Sequence, residues 1–319
     1  MDLPAQRKCL GFTGHNSTRA CHKCDKSFPS LPGNANRRDF RDFDDANWVG
    51  RSASTHRVNA SKWLTLSTKD QRSEFERNTG TRWSTLLRLP YFDPIRFAPV
   101  DVMHNCFLGT AKRVLHMIWR DEVRSVAGGR REESLLITKS DLAEMSEFAK
   151  SLILPFGYDG GNAVKRKITV GKDGFSHLTA DEWRVWIIAM SPYLLPLRLN
   201  MQYYNHWMKF VEANRYIANT SITEEEIDYV HSLLKEFLSE FMEIYHDASY
   251  LSLNMHNHLH IKEGLLDYGP AMSHWLFNFE RYNGDLKVIN TNNKGSVENT
   301  ITKRFLESVF AGDYLIVCR

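Results

Sequence analysis

Five groups of residues in this chain have side chains suited to chemistry. The first is Cys9-(x5)-His15-(x5)-Cys21-His22-Lys23-Cys24. A Cys-x2-Cys turn lets two thiolates grip one tetrahedral Zn²⁺, and two further ligands must then come from elsewhere. Cys9 and His15 are the nearest candidates in the sequence, and an incidental cysteine pair in a loop is the bland alternative. The second is Asp101-Val102-Met103-His104 at the start of a helical pattern. The Asp carboxylate suits a helix cap, and Asp and His three residues apart lie on one face, able to address the same ion or phosphate. A capping Asp beside a core His explains the same spacing. The third is Met255-His256-Asn257-His258-Leu259-His260. Here His256 and His260 share a helical face, as two ligands on one helix must, while His258 points elsewhere; an interfacial polar stripe is the competing account. The fourth is Phe279-Glu280-Arg281-Tyr282, where Glu280 fits a buried ion pair or the carboxylate of a two-metal site, with Glu263 as its rival. The fifth is the basic content around Lys165–Lys172 and Lys287–Lys303, suited to phosphates or to an ordinary solvated face.

These groups must be positioned by elements, and the pattern is helical. Val102, Cys106, Leu108, Val114, Leu115 and Ile118 fit one face of a helix ending near Trp119. Ser140-Asp141 caps a helix to Leu152, and Thr179 caps one carrying Trp183, Trp186 and Ile187, which Pro192 and Pro196 interrupt. Tyr203–Ala218 reads as a helix. Thr223-Glu224-Glu225-Glu226 is a capping box opening a helix to about Tyr245. Met255–Tyr268 reads as one helix stopped by Gly269-Pro270, followed by segments near Ser273–Asn283 and Gly295–Phe310. Residues 29–60 are polar and aperiodic, 61–80 carry a weak helical pattern, and 124–133 and 155–177 read as loops, the latter with a hairpin about Gly171–Gly174 as the alternative. Strand signal is scarce, so the fold class is mainly α.

Composition narrows the function classes. With 319 residues, 42% hydrophobic and 25% charged, the chain has material for a sizeable core, which excludes wholesale disorder. Five unevenly placed cysteines argue against a disulfide framework and for a reducing compartment. The sequence holds no apolar run of membrane-spanning length and no secretory signal, so a soluble protein with no membrane partner is expected. A net charge of +3 is too small to establish a nucleic-acid partner by itself.

Taken in order, several blocks resemble the catalytic region of CACTA-type transposases, particularly the Plavaka-like group. They are Asp2-Leu3-Pro4-Ala5-Gln6-Arg7-Lys8-Cys9-Leu10-Gly11-Phe12 with Gly14-His15 and Cys21-x2-Cys24; Leu89-Pro90-Tyr91-Phe92-Asp93-Pro94 leading to Asp101-x-Met103-His104-Asn105; Leu178-Thr179-Ala180-Asp181-Glu182-Trp183; Tyr268-Gly269-Pro270; Trp275 to Gly284; and Thr291-Asn292-Asn293-Lys294. They span almost the whole chain. The resemblance implies an RNase H-like core whose Asp-Asp-Glu carboxylates hold two Mg²⁺ (or Mn²⁺) ions for DNA strand cleavage and joining at transposon ends, in the nucleus. By that resemblance Asp2 is the second catalytic Asp, Glu280 (alternatively Glu263) the third carboxylate, and Asp101 and His104 an intervening Asp-x2-His signature. Cys21 and Cys24, with Cys9 or His15, form a structural Zn²⁺ knuckle, and His256 and His258 complete a metal site near it.

The domain organisation that follows is a zinc-knuckle-like segment 1–28, a loop-rich linker 29–84, a helical insertion with the C-terminal part of the catalytic domain over 85–310, and a tail 311–319. The knuckle segment and the 29–60 loop are expected to be loosely attached. The family's first Asp and its strands have no counterpart here. The chain therefore reads as an N-terminally truncated, catalytically incomplete fragment of a cut-and-paste transposase. A homo-oligomer or a pairing with full-length transposase is the partner expectation. A non-enzymatic, transposon-derived module binding DNA or protein is the alternative function.

Overall fold

The computed structural model describes residues 3–120, 135–158, 160–168, 175, 177–291 and 296–317, with side chains described as far as residue 311. Asp2, the 124–133 loop, the Gly171–Gly174 hairpin and Asn292-Asn293-Lys294 lie outside the described residues. The chain divides into two units, Met1–Trp275 and Leu276–Arg319.

The first unit is mainly helical, as the periodicity requires. A short helix α1 (Leu3–Leu10) leads into the cysteine turn, followed by the hairpin β1 (Ser30–Leu31) and β2 (Asn34–Arg38). The helices α2 (Ala53–Thr65) and α3 (Lys69–Thr79) then fill much of the stretch expected to be linker. Helix α3 opens with a capping box of Thr68 and Gln71, which satisfies two otherwise free backbone N–H groups. Helix α4 (residues 102–119) holds two π-helical stretches, Met103–Ala111 and Val114–Trp119. Next come α5 (Lys139–Ser151), α6 (Gly161–Lys167) and α7 (Ala180–Val185). A π-helical stretch Trp186–Met190 links α7 to α8 (Ser191–Leu194), so Pro192 sits in a first turn, where its missing N–H costs nothing.

The cap of α5 is Thr138, whose hydroxyl accepts from the Asp141 N–H while the Asp141 carboxylate accepts from the Thr138 N–H. Ser140 is two residues too late for that role. The capping boxes at Thr179 and Thr223 form as the sequence implies.

Helices α9 (Met201–Ile217) and α10 (Glu224–Ser239) pack antiparallel: His206 stacks on Phe237 at one end, and Tyr216 meets Tyr229 at the other. A short α11 (Phe241–Tyr245) precedes α12 (Leu253–His258) and α13 (Ile261–Tyr268). The expected single helix over Met255–Tyr268 is thus two, broken at Leu259-His260. Trp119, Trp183, Trp186, Trp207, Phe107, Phe210 and Phe237 form the bulk of the buried interior.

Helix α12 runs alongside α4 in the same direction. Asn105 donates to the Asn254 carbonyl at 3.0 Å, and Thr110 Oγ1 pairs with His258 Nε2 at 2.9 Å. Gly109 permits this approach, because a Cβ there would lie 2.2 Å from the Asn254 side chain. The second unit comprises α14 (Phe277–Lys287) and α15 (Val297–Val317). The β1–β2 hairpin is the only sheet among the described residues.

Candidate metal centre

The cysteine turn is neither loose nor exposed. Cys21 and Cys24 are 0% and 1% exposed, and Phe28 is completely buried. The turn is built as a metal knuckle is: the N–H groups of Lys23 and Cys24 both donate to Cys21 Sγ at 3.3 Å, which favours a thiolate there. Segment 23–25 pairs in strand-like fashion with 49–51, through Asp25 N–H to the Val49 carbonyl and Arg51 N–H to the Lys23 carbonyl, both 2.8 Å. The Arg51 guanidinium donates to the Cys21, Cys24 and Thr79 carbonyls at 3.0, 3.2 and 2.9 Å, fixing the turn to the end of α3.

Opposite the turn stand two histidines from the broken helix. The sulfur atoms of Cys21 and Cys24 and one nitrogen each from His256 and His260 all lie within 4.8 Å of one another, and all four residues are buried. Cys24 Sγ is 3.4 Å from His256 Nε2. Ligand–ligand edges in a tetrahedral zinc site, with Zn–S about 2.3 Å and Zn–N about 2.0–2.1 Å, are roughly 3.3–3.8 Å. The buried His260 Nε2 has no hydrogen-bond partner. An orphaned lone pair in a dry interior is costly unless an ion satisfies it. The residues therefore fit a closed Cys2His2 zinc site. When bound there, zinc would supply a cross-link and no open coordination position.

The surroundings hold each imidazole. Trp48 stacks on His256 with ring centroids 4.3 Å apart, and Phe28 meets the same ring edge-on at 4.9 Å. His260 Nδ1–H donates to Glu263 Oε1 at 2.7 Å, which leaves Nε2 as the lone-pair nitrogen facing the cysteines. The other Glu263 oxygen lies 3.6 Å from the buried Lys23 ammonium, itself donating to the Ile95 carbonyl at 2.8 Å.

The four groups also shift one another's proton affinities. Burial opposes ionisation of Cys21, but the hydrogen bond from the Cys24 thiol and the His260 and His256 imidazoles outweigh it and hold Cys21 well below the usual thiol range. Cys24 is driven upward by its bond to Cys21 and by burial. His260 is raised to about 9: burial lowers it, and the Cys21 sulfur and the Glu263 carboxylate more than compensate.

Glu263 is thus engaged as a positioning carboxylate for a metal ligand. Outer-sphere partners of this kind typically contribute 10–100-fold to metal affinity. Glu263→Ala is expected to weaken zinc binding roughly 30-fold, and Glu263→Gln, which keeps an acceptor for Nδ1–H, by less than tenfold. Competition against a chromophoric chelator reads both; equal affinities in all three proteins would refute the role.

The other ligand expectations need correction. Cys9 and His15 are exposed and stand outside the four-residue group. Nearness in sequence does not place them near the turn's sulfur atoms, because Leu10 and Phe12 are the residues that pack inward there. His258 also lies outside the group: it faces α4, bonded to Thr110 and stacked on Phe210 at 5.6 Å. His22, inside the turn, pairs through Nε2 with the Ala98 carbonyl at 3.1 Å, and burial drives its pKa down to about 3. Sequence reasoning saw His260 on the same face as His256; the break at Leu259 and the cysteines opposite were beyond it.

Asp101 caps α4 as expected. Its carboxylate accepts from the Met103 and His104 N–H groups at 3.4 and 3.1 Å and from His104 Nδ1–H at 2.6 Å. Asp101, His104 and Asn105 line a narrow crevice whose other wall includes His22, Asn254 and Asn257. The Asn257 side-chain amide lies 3.9 Å from Cys21 Sγ, so the crevice abuts the metal centre.

Asp2 lies outside the described residues. Glu280 is an exposed residue of α14 in the second unit. The described residues thus assemble no oxygen-ligand site of the kind Mg²⁺ demands, and the Cys2His2 group is their one cluster of three or more candidate ligands. No described helix is long and apolar enough to cross a membrane. Comparison with known protein families, with curated proteins and with solved structures finds no match to this chain.

Proposed function

We propose that this chain is the zinc-stapled helical part of the catalytic region of a CACTA-type DNA transposase. The observation that supports the reading is spatial. Three blocks far apart in sequence, quoted above because they resemble that family, meet at one buried centre and its crevice: α1 with Gln6, the Cys21-x2-Cys24 turn and Asp101-x2-His104-Asn105, with the Asn254–His260 segment closing the centre. In this reading α4 to α13 are the family's insertion, and α14 belongs to the end of an RNase H-like core with Glu280 as its carboxylate. DNA strand cleavage and joining is the reaction of the whole enzyme, and the nucleus is its compartment.

Zinc at Cys21, Cys24, His256 and His260 has a mechanical role here: it ties the segment following Asp2 to the far end of the insertion. No chemical step is assigned to Mg²⁺ or Mn²⁺, since no described site fits them. Asp101 holds His104 in one orientation at the crevice wall and stabilises the first turn of α4.

DNA binding tests the reading. Three to four phosphate contacts would give a slope of log K against log salt near −3, or roughly a sixtyfold loss of affinity between about 50 and 200 mM salt. Anisotropy titrations with a labelled duplex are expected to return that slope. No binding at about 50 mM salt would remove DNA as the partner.

A further inference from the structure

We propose that a cavity remote from the metal centre, between the segment after α5 and helices α7, α8 and α9, binds an unstacked nucleotide of single-stranded DNA. The proposal rests on DNA being the protein's substrate. The cavity measures about 530 Å³, and Tyr158, Tyr193, Arg184, Arg215, Leu154 and Ile188 are among its lining residues. That volume is in the range of small-molecule sites, which run from roughly 300 to 1,000 Å³.

Three observations select the ligand. First, both arginines are held in place before any ligand arrives. Arg215 donates through Nε and Nη2 to the Ile188 carbonyl at 3.2 and 2.9 Å, and Arg184 donates through Nε to Asp181 at 2.8 Å. Second, Arg215 is exposed and has no carboxylate partner among the described residues, so its charge is available to a phosphate. Third, the walls offer flat aromatic faces. The Arg184 guanidinium lies 5.6 Å from the Tyr158 ring centroid, and Tyr193 is 60% exposed at the cavity. Aromatic faces beside fixed cations are how single strands are gripped without sequence preference: bases stack, and phosphates meet the charge. Duplex DNA keeps its bases inside and cannot offer one to such a cavity. On α6, Lys165 is tied to the Leu152 carbonyl at the cavity edge, while Lys167 is paired with Glu182 at 2.7 Å.

The test is anisotropy with a short fluorescent oligothymidylate and, separately, a duplex of matched length, on wild-type protein, Arg215→Glu and Tyr193→Ala. The wild type is expected to bind the single strand. Each variant is expected to weaken that binding tenfold or more, with duplex affinity within twofold and zinc content unchanged. Tyr193→Phe, which keeps the stacking face, is expected to bind as the wild type does. If Arg215→Glu fails to fold because the Ile188 carbonyl loses its donor, the exposed Tyr193 pair decides alone. Duplex binding with no single-strand binding, or single-strand binding untouched by Tyr193→Ala, would overturn this site, leave the DNA reading standing and give the cavity to an apolar partner. Failure to bind either form would overturn the DNA reading and this proposal with it.

Discussion

Stripping zinc from this protein is expected to lower its melting temperature by roughly 6 °C. The estimate follows from mass action. At free zinc about a thousand times the dissociation constant, binding to the folded state alone contributes about 4.1 kcal/mol, and in a chain of this size each kcal/mol moves the midpoint by roughly 1.5 °C. The structural argument is independent of that figure. The Cys24–His256 contact joins residues 232 positions apart, so the ion closes a loop that includes nearly every helix of the first unit. Without the ion, four buried polar groups face one another with the His260 Nε2 unsatisfied. Cys24→Ser and His260→Ala should reproduce the chelator's effect, whereas Cys9→Ser, at an exposed position outside the cluster, should melt as the wild type does. A melting curve indifferent to chelator would show that the fold does not depend on this ion.

The second large effect lies away from the metal. Trp207→Ala is expected to destabilise the protein by about 3–5 kcal/mol, in the range for truncating a buried aromatic. Trp207 is 1% exposed, donates through Nε1 to Ser191 Oγ at 2.8 Å, and packs against Trp119 and Phe210 with ring centroids 5.1 Å away in both cases. Its loss opens a cavity and removes the donor to the Ser191 hydroxyl, which keeps its own bond to the Ile187 carbonyl at 2.9 Å. Because Trp207 contacts none of the four candidate ligands, one zinc per chain should survive in the folded variant. Denaturant titration with elemental analysis checks both. A loss below about 1 kcal/mol would mean that the interior repacks around the gap.

What the sequence revealed and concealed follows from where each signal is written. Capping is local, so Thr179 with Glu182 and Thr223 with Glu226 were readable from four residues each. The Asp101 cap was readable for the same reason. The Cys-x2-Cys turn was legible as half of a site because its two ligands are written together. The other half was not, since spacing along the chain says nothing about which of Cys9, His15, His256, His258 or His260 lies opposite in space. The break at Leu259-His260 also changes the helical geometry on which the histidine spacing was read. Residues 30–38 gave no strand signal because Asn34–Arg38 carries no apolar alternation, and its pairing is a hairpin of exposed polar residues. The compact packing of the first 28 residues could not be seen either, because Phe12 and Phe28 find their partners, His56 and His256, only in three dimensions.

The measurement that bears most directly on the metal centre is zinc-edge X-ray absorption on the purified protein, which counts and identifies the atoms around the ion. Two sulfurs at about 2.3 Å and two imidazole nitrogens at about 2.0–2.1 Å are the expected shell. Three sulfurs would bring Cys9 back as a ligand, and a shell of nitrogen and oxygen alone, or no zinc at all, would contradict the Cys21, Cys24, His256 and His260 assignment.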